Sequence, residues 1–136
     1  MTFQGRDEIT FSDGSTAQKV AVVDSSGNHP TVKRAKIDAA ASGDNEVLAA
    51  VTGKKICVLG LILVAKEAVD VTVYSDVQAG GTALTGVISL ADNEGFVLPP
   101  PTNAGMHWFE TASAKKLNIY LSAAKQVSGC LLYSEA

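Results

Sequence analysis

The side chains that most often carry chemistry are few in this sequence and are not grouped along it. The two histidines are His29, in a polar turn before Pro30, and His107, which adjoins Trp108. Neither lies in an HxxxH, HxH or HExxH arrangement, the spacings that are typical of zinc ligands. We therefore interpret His29 as a solvated loop residue and His107 as a residue at the edge of the core, and we predict no metal site.

The two cysteines are Cys57 and Cys130, each inside an apolar run and far from the other in sequence. They have no CxxC spacing, which a redox pair or a zinc site would favour. Free cysteine commonly behaves as a small buried hydrophobic residue. We expect that role for both.

The other chemistry-bearing motifs are incomplete. The acidic turn at residues 92–95 is too short for a calcium loop, which needs alternating oxygen ligands and a closing Glu. Gly80 and Gly81 are followed by no lysine, so we interpret them as a hairpin turn rather than a phosphate loop. No serine lies in a GxSxG motif. We predict no catalytic residue and no cofactor, and we expect that the protein is not an enzyme.

Composition indicates one globular domain with its own core. The chain has 136 residues, of which 46% are hydrophobic and 18% are charged, with a net charge of −3. This balance excludes a disordered chain, and the absence of basic runs argues against a nucleic-acid partner. The longest apolar stretch, residues 56–65, is about half the length of a membrane-spanning helix. We expect no membrane partner.

The elements that must position any site are short strands. Residues 37–136 contain about eight apolar blocks at close, turn-marked spacing, which indicates an all-β sandwich or barrel. Val69, Val71 and Val73 alternate with polar residues, as in a strand with one buried face. We predict a β-sandwich domain at 37–136, jelly-roll-like in its connections, after an extended N-terminal arm or hairpin at 1–36.

The arm contains one strand-like stretch at residues 18–24. Turn-forming residues follow at 25–30, and a mixed segment at 31–37. This order predicts a hairpin around Gly27 that packs against the body or an adjacent subunit.

The block at residues 56–64 is apolar on both alternating faces, whereas a strand of a solitary sandwich normally has one wet face. Either local cover within the chain or a second subunit could bury the other face, and we predict a homo-oligomer. Gly60 interrupts the pattern, as glycine does at a bulge or a close backbone approach. The candidate interface residues are Ile56, Val58, Leu61, Ile62 and Trp108.

Three motifs of the body can be compared with known proteins: the opening Gly43-Asp44-Asn45, a strand pair of the form A-A-V-x-G-K-x-I-x-V at residues 49–58, and the closing Leu117-Asn118-Ile119-Tyr120-Leu121-Ser122. In these motifs the body resembles a group of small tailed-phage virion proteins. The resemblance covers roughly residues 37–134 and does not include the arm.

The resemblance implies a head decoration (cement) protein with a jelly-roll-like sandwich that forms trimers. Its partners would be itself and the major capsid protein, and it would lie on the capsid surface of the virion after synthesis in the host cytoplasm. We expect the arm to dock on the capsid and its first eleven residues or so to become ordered only there. The candidate docking residues are Phe3, Arg6, Ile9 and Phe11.

Two other roles stay open. One is a carbohydrate-binding sandwich that stacks sugars on aromatic rings. The other is a tail or fibre accessory module. The candidate stacking residues are Trp108, Tyr74, Tyr120 and Tyr133.

Overall fold

A computed structural model describes residues 6–10, 16–20, 31–102 and 106–136, the first two ranges by their backbone alone. The strands of the N-terminal part are β1 (Arg6–Thr10) and β2 (Thr16–Val20). Those of the body are β3 (Lys33–Ala39), β4 (Gly43–Leu48), β5 (Ile56–Ala65), β6 (Val69–Ser75), β7 (Thr82–Ala83), β8 (Ile88–Leu90), β9 (Gly95–Leu98), β10 (Phe109–Glu110), β11 (Leu117–Leu121) and β12 (Val127–Glu135).

The body is a sandwich of two antiparallel sheets, which confirms the predicted fold class. The front sheet has the order β10–β5–β12–β3, with β9 also paired to β5, and the back sheet has the order β4–β11–β6–β7, with β8 also paired to β6. The described residues include no helix, and so none that is long and apolar enough to cross a membrane.

The core lies between the two sheets and is built from alternate residues of the central strands. Val71 and Val73 of β6 and Ile119 of β11 are at most 2% exposed, and they face Leu63 of β5, which is fully buried. Full burial of such a side chain contributes roughly 1.5–3 kcal/mol. The predicted alternation on β6 is confirmed at its three valines.

One polar residue of β11 is buried although the alternation places it opposite the core residues. Asn118 is 0% exposed, and its amide nitrogen donates to Asp44 Oδ1 over 2.6 Å. The same carboxylate oxygen accepts the Gln78 backbone N–H over 2.8 Å. The Asp44 carboxylate therefore ties β4 to β11 and to the turn after β6. Its charge-assisted hydrogen bond compensates for the burial of the Asn118 amide nitrogen, whereas the buried Asn118 Oδ1 has no hydrogen-bond partner among the described residues.

A register shift in β5 explains why its sequence is apolar on both faces. Gly60 is opposite Leu132 and Val58 is opposite Tyr133, so the intervening Leu59 has no partner on β12. Such a bulge moves the following residues to the other face. Val58 and Leu61 therefore both point into the core, whereas the alternation had assigned them to opposite faces.

Gly60 lies at this shift, in agreement with the prediction of a bulge or close approach. A Cβ atom there would lie 2.9 Å from the Leu98 carbonyl oxygen and 3.2 Å from the Pro100 ring. The absence of a side chain lets the backbone that follows β9 pass close to β5.

The N-terminal hairpin differs from the predicted one. Arg6–Thr10 pairs with Thr16–Val20 as a two-stranded sheet, whereas Lys33–Ala39 pairs with β12. The prediction that strands on either side of Gly27 pair with each other is therefore wrong, and the turn at 25–30 lies outside the described residues. The expectation that residues up to about 11 order only on a capsid also differs from the structure, in which Arg6–Thr10 is already a strand.

The domain boundary predicted between residues 36 and 37 falls inside a strand. β3 begins at Lys33, and its first four residues belong to the front sheet. The first residues of β3 are mostly polar because β3 is an edge strand, so in composition they resemble the arm rather than the body.

An ion pair at the end of β6 gives a pH-dependent prediction. Asp76 has a φ of 75°, and its carboxylate accepts bonds from Lys115 Nζ over 2.7 Å and from the Val77 backbone N–H over 2.9 Å. The hydrogen bond from Lys115, then that from Val77, holds the pKa of Asp76 below its ordinary value. The ion pair thus stabilises the fold above the unfolded-state pKa, and this stability is lost as the pH falls through the lower, folded-state pKa.

We expect Asp76→Asn to unfold at a lower urea concentration than the wild type at pH 7. The difference should shrink as the pH falls below about 4 and disappear only below the folded-state pKa of Asp76. Asparagine tolerates the positive φ, so the comparison isolates the charge. In a Lys115→Met background the same substitution should have a smaller effect at pH 7. An effect of Asp76→Asn that is equal at both pH values would contradict the assignment.

Candidate functional site

A cluster of three potential ligands lies where β10 meets β5. Glu110 is the cross-strand partner of Cys57, and Phe109 is the partner of Val58. Val58 and Phe109 pack into the core, so Cys57 and Glu110 project from the other side of the front sheet. His107 precedes Glu110 by three residues. The Trp108 N–H donates to the Val58 carbonyl over 2.9 Å, and this bond holds the segment against β5.

The polar atoms of this cluster are close to one another. Glu110 Oε2 is 3.3 Å from His107 Nε2 and 3.8 Å from Cys57 Sγ. The other oxygen, Oε1, is 2.9 Å from Lys55 Nζ. One potential ligand atom from each of Cys57, His107 and Glu110 lies within 4.8 Å of the other two.

The electrostatics of the cluster follow from burial and from one cation. The hydrogen bond from Lys55 lowers the pKa of Glu110 below its ordinary value, so that this carboxylate is charged near neutral pH. Burial, and then the neighbouring Glu110 charge, raises the pKa of the Cys57 thiol. Cys57 is 4% exposed and remains a neutral thiol that points at a carboxylate.

The sequence interpretation of the cysteines is half right. Cys57 is buried, as expected, but Cys130 is exposed. Cys130 is opposite Ile62 on β5 and Lys36 on β3, and this side of the three strands faces away from the core. The alternation of β12 therefore places Cys130 on the outer face. The apolar residues around Cys130 in the sequence had suggested a buried position.

A second feature is an apolar groove between the edges of the two sheets. Its volume is about 240 Å³, and its lining includes Leu61, Val73, Ile88, Phe96, Trp108 and Phe109. Trp108 stands at its mouth with half of its surface exposed, and its indole N–H donates to the Pro99 carbonyl over 2.8 Å. Trp108 therefore lines the groove, and a side-chain hydrogen bond fixes its position.

A third feature is a row of exposed apolar side chains on the outer face of the front sheet. We name it the outer strip: Ile62 and Val64 of β5, Val97 of β9 and Cys130 of β12. Ile62 is 44% exposed, Val64 43% and Val97 60%. Ile62 is the cross-strand partner of both Val97 and Cys130, so these side chains are adjacent.

The residues that sequence analysis assigned to an oligomer interface separate into two groups. Ile56, Val58 and Leu61 are at most 7% exposed and belong to the core of this chain. Their assignment to a subunit contact is therefore corrected: the bulge brings Leu61 to the same core-facing side as Ile56 and Val58. Ile62 and Trp108 are exposed and keep side-chain surface that a partner could contact.

Two of the candidate docking residues of the arm lie on β1. Arg6 is opposite Val20 and Ile9 is opposite Ala17 in the N-terminal hairpin. Phe3 and Phe11 lie outside the described residues. Docking by these four residues stays a prediction.

The aromatic residues proposed for sugar stacking are not all together. Tyr74 and Tyr120 lie on the back sheet with ring centroids 6.2 Å apart and an interplanar angle of 67°. Trp108 is at the groove on the other sheet, and Tyr133 packs against the core. The edge-to-face tyrosine pair does not present two parallel ring faces to a sugar.

Comparisons with protein-family models, with curated protein sequences and with solved structures find no match to this chain. The candidate functions therefore depend on the fold and on the three features above.

Proposed function

We propose that this protein is a virion structural protein: a head decoration protein that binds the outside of a tailed-phage capsid as a homotrimer. The single observation that carries the proposal is the outer strip, because it exposes adjacent apolar side chains on the regular face of a sheet. Exposed apolar surface of this kind is typical of protein–protein contact sites. The role needs no catalysis, and the protein would reach the capsid surface after synthesis in the host cytoplasm.

The strand order supports the jelly-roll part of the proposal. Three pairs of consecutive strands have one member in each sheet: β3 and β4, β5 and β6, and β11 and β12. The central strands are β5 and β12 in the front sheet and β6 and β11 in the back sheet. A double-sheet jelly roll has eight strands in two Greek keys and recurs in viral capsid and lectin domains. The short strands β7 and β8 both pair with β6, and the short strands β9 and β10 both pair with β5. Each set of two short strands thus occupies one edge position of that arrangement.

The partner that contacts the outer strip in this proposal is a second copy of this chain. Its apolar residues are bordered on β3 by Lys36 and Asp38, which are exposed and form a 3.6 Å ion pair with each other. An apolar centre with a polar rim is the usual anatomy of a subunit interface. Closed cyclic symmetry is the common outcome when identical chains associate, and a trimer is one such closed form.

The N-terminal hairpin supports the docking part of the proposal. β1 and β2 form a sheet of their own, separate from the strand ladders of the sandwich. A two-stranded hairpin is marginal in water by itself, and it can gain main-chain hydrogen bonds by adding to the sheet edge of a partner. The partner in this proposal is the major capsid protein.

A truncation tests the docking role. Removal of residues 1–20 deletes both strands of the hairpin, and we expect the melting temperature to change by no more than about 2 °C. Binding to capsids that lack the protein should fall at least about tenfold, which corresponds to about 1.4 kcal/mol. Co-sedimentation with the capsids measures it.

Removal of residues 1–5 is the matched control, because it leaves β1 and β2 intact. We expect this shorter truncation to bind better than the longer one. Equal binding by the full chain and the chain without residues 1–20 would refute the docking role of the arm.

The alternative is a carbohydrate-binding sandwich, and the observation that favours it is Trp108, half exposed at the mouth of the apolar groove. A glycan array separates the two functions. Binding of the wild type to one glycan class that is lost in Trp108→Ala would favour the alternative, and no binding would favour the structural role.

A further inference from the structure

We propose that Cys57, His107 and Glu110 form a binding site for a divalent transition-metal ion, zinc being the ion that best fits the ligand set. The site goes beyond the structural role proposed above and does not depend on it. The sequence predicts no metal site, because neither histidine lies in an HxxxH, HxH or HExxH arrangement and the cysteines have no CxxC spacing. The cross-strand pairing of β5 and β10 brings them together.

Two of the three distances between the ligand atoms are close to those of tetrahedral coordination. Zinc binds thiolate sulfur at about 2.3 Å and histidine nitrogen or carboxylate oxygen at about 2.0–2.2 Å, so its ligands are about 3.3–3.7 Å from one another. The Glu110 Oε2–His107 Nε2 distance is 3.3 Å, and the Glu110 Oε2–Cys57 Sγ distance is 3.8 Å. The ligand atoms of His107 and Cys57 lie within 4.8 Å of each other, so side-chain rotation must shorten this separation for one ion to contact all three atoms.

The donor set selects the class of metal. Sulfur and imidazole nitrogen are the ligands that zinc and similar transition ions prefer, whereas calcium and magnesium take oxygen ligands. A thiolate from Cys57 and the carboxylate of Glu110 together carry two negative charges, which balance a divalent cation. On binding, the S–H bond of Cys57 breaks, its proton goes to solvent, and the sulfur electron pair forms the bond to the metal.

The surroundings of the cluster hold the ligands in place. Lys55 binds Glu110 Oε1 over 2.9 Å and leaves Oε2 directed at the other two ligands. Contacts of this outer kind orient metal ligands and affect affinity. Cys57 is buried, whereas the side chains of His107 and Glu110 are 32% and 39% exposed, so an ion could enter from solvent.

Three protein ligands leave a fourth position open to solvent, which water would occupy. A bound ion would also connect β5 to the segment that carries Trp108 at the mouth of the apolar groove. We therefore expect zinc to raise the melting temperature of the wild type, since a ligand that binds only the folded state stabilises it.

Cobalt titration tests the proposal, because four-coordinate Co²⁺ with a thiolate ligand has a characteristic charge-transfer absorption. We expect one Co²⁺ per chain, with this band present in the wild type and displaced by Zn²⁺. The band should be lost in Cys57→Ser. It should be kept in Cys130→Ser, the matched control at the other free cysteine.

Two surface variants keep the test valid if Cys57→Ser disturbs folding. His107→Ala and Glu110→Gln should each weaken Co²⁺ binding about tenfold or more, with circular dichroism spectra equal to that of the wild type. The proposal is overturned if neither Co²⁺ nor Zn²⁺ binds the wild type at about 1 mM, which would be a weak affinity. It is also overturned if the band follows Cys130, or if both surface variants bind as tightly as the wild type.

Discussion

Leu61→Asp is expected to unfold the domain, whereas Ile62→Asp, one residue later on the same strand, should fold and fail to associate. Leu61 is 7% exposed and lies opposite Leu131 of β12 and Leu98 of β9. A carboxylate at that position would have no partner in an apolar core, a cost of several kcal/mol. A domain has only about 5–15 kcal/mol of stability.

Ile62 points to the opposite face, where 44% of its surface is exposed. An aspartate there remains hydrated, so the free energy of unfolding should change by no more than about 1 kcal/mol. In an oligomer built on the outer strip, however, the same charge would be buried against a partner. Light scattering should give a particle near 14.1 kDa for this variant and about three times that mass for the wild type.

The pair of variants separates a fold effect from an assembly effect. Circular dichroism and urea unfolding report folding, and light scattering reports association. A wild type of 14.1 kDa at micromolar concentration would refute the oligomer. A trimer that survives Ile62→Asp would exclude the outer strip as its interface.

The sheets could be predicted from sequence where the alternation is unbroken. The valines at 69, 71 and 73 and the apolar residues of β11 each occupy one face, because period-two patterning fixes which side is buried. In β5 the same rule failed after Gly60. The bulge that reverses the faces depends on the register with β12, which is more than sixty residues away and is not encoded in the local pattern.

The ligand cluster could not be predicted for a related reason. Cys57 and Glu110 are neighbours only through the pairing of β5 with the two-residue strand β10. The one local signal was His107 and Glu110, three residues apart. That spacing brings two side chains together on a helix. In an irregular segment it does not predict that they are close, so it did not indicate a site.

The hairpin error also has a physical cause. Residues 18–24 and 31–37 both resemble strands, and the turn formers between them favour local pairing. The segment at 33–39 instead pairs with β12 along seven residues, Lys33 to Ala39. A pairing that extends an existing sheet and buries Ile37 and Ala39 is more stable than an isolated hairpin.

Gly129→Ala is expected to be strongly destabilising, because an added Cβ atom at Gly129 of β12 comes closer to a neighbouring atom than at any other described glycine. Gly129 lies in the central part of the front sheet, between Leu63 of β5 and Ile37 of β3. A Cβ atom there would overlap the Ile62 carbonyl oxygen and lie 3.1 Å from the Leu63 Cα. These are backbone atoms of a neighbouring strand, so no side-chain rotation can relieve the overlap.

The front sheet must therefore deform to admit the methyl group, and we expect a loss of about 3 kcal/mol in the free energy of unfolding. For a domain of this size that corresponds to a fall of about 10 °C in melting temperature. Gly86→Ala is the matched control, because a Cβ atom at Gly86 would have no atom within 4 Å apart from those of Gly86 and its two chain neighbours. It should change the free energy of unfolding by about 0.5 kcal/mol or less.

The same deformation should reach the assembly, because the carbonyl that must move belongs to Ile62, whose side chain lies in the outer strip. We expect Gly129→Ala to weaken self-association at temperatures where the variant is still folded, and Gly86→Ala to leave it unchanged. Urea unfolding and light scattering on the same samples measure both effects. If Gly129→Ala were as stable as Gly86→Ala, β12 could not lie as close to β5 as the structure places it, and the adjacency of Ile62 and Cys130 on which the outer strip depends would be wrong.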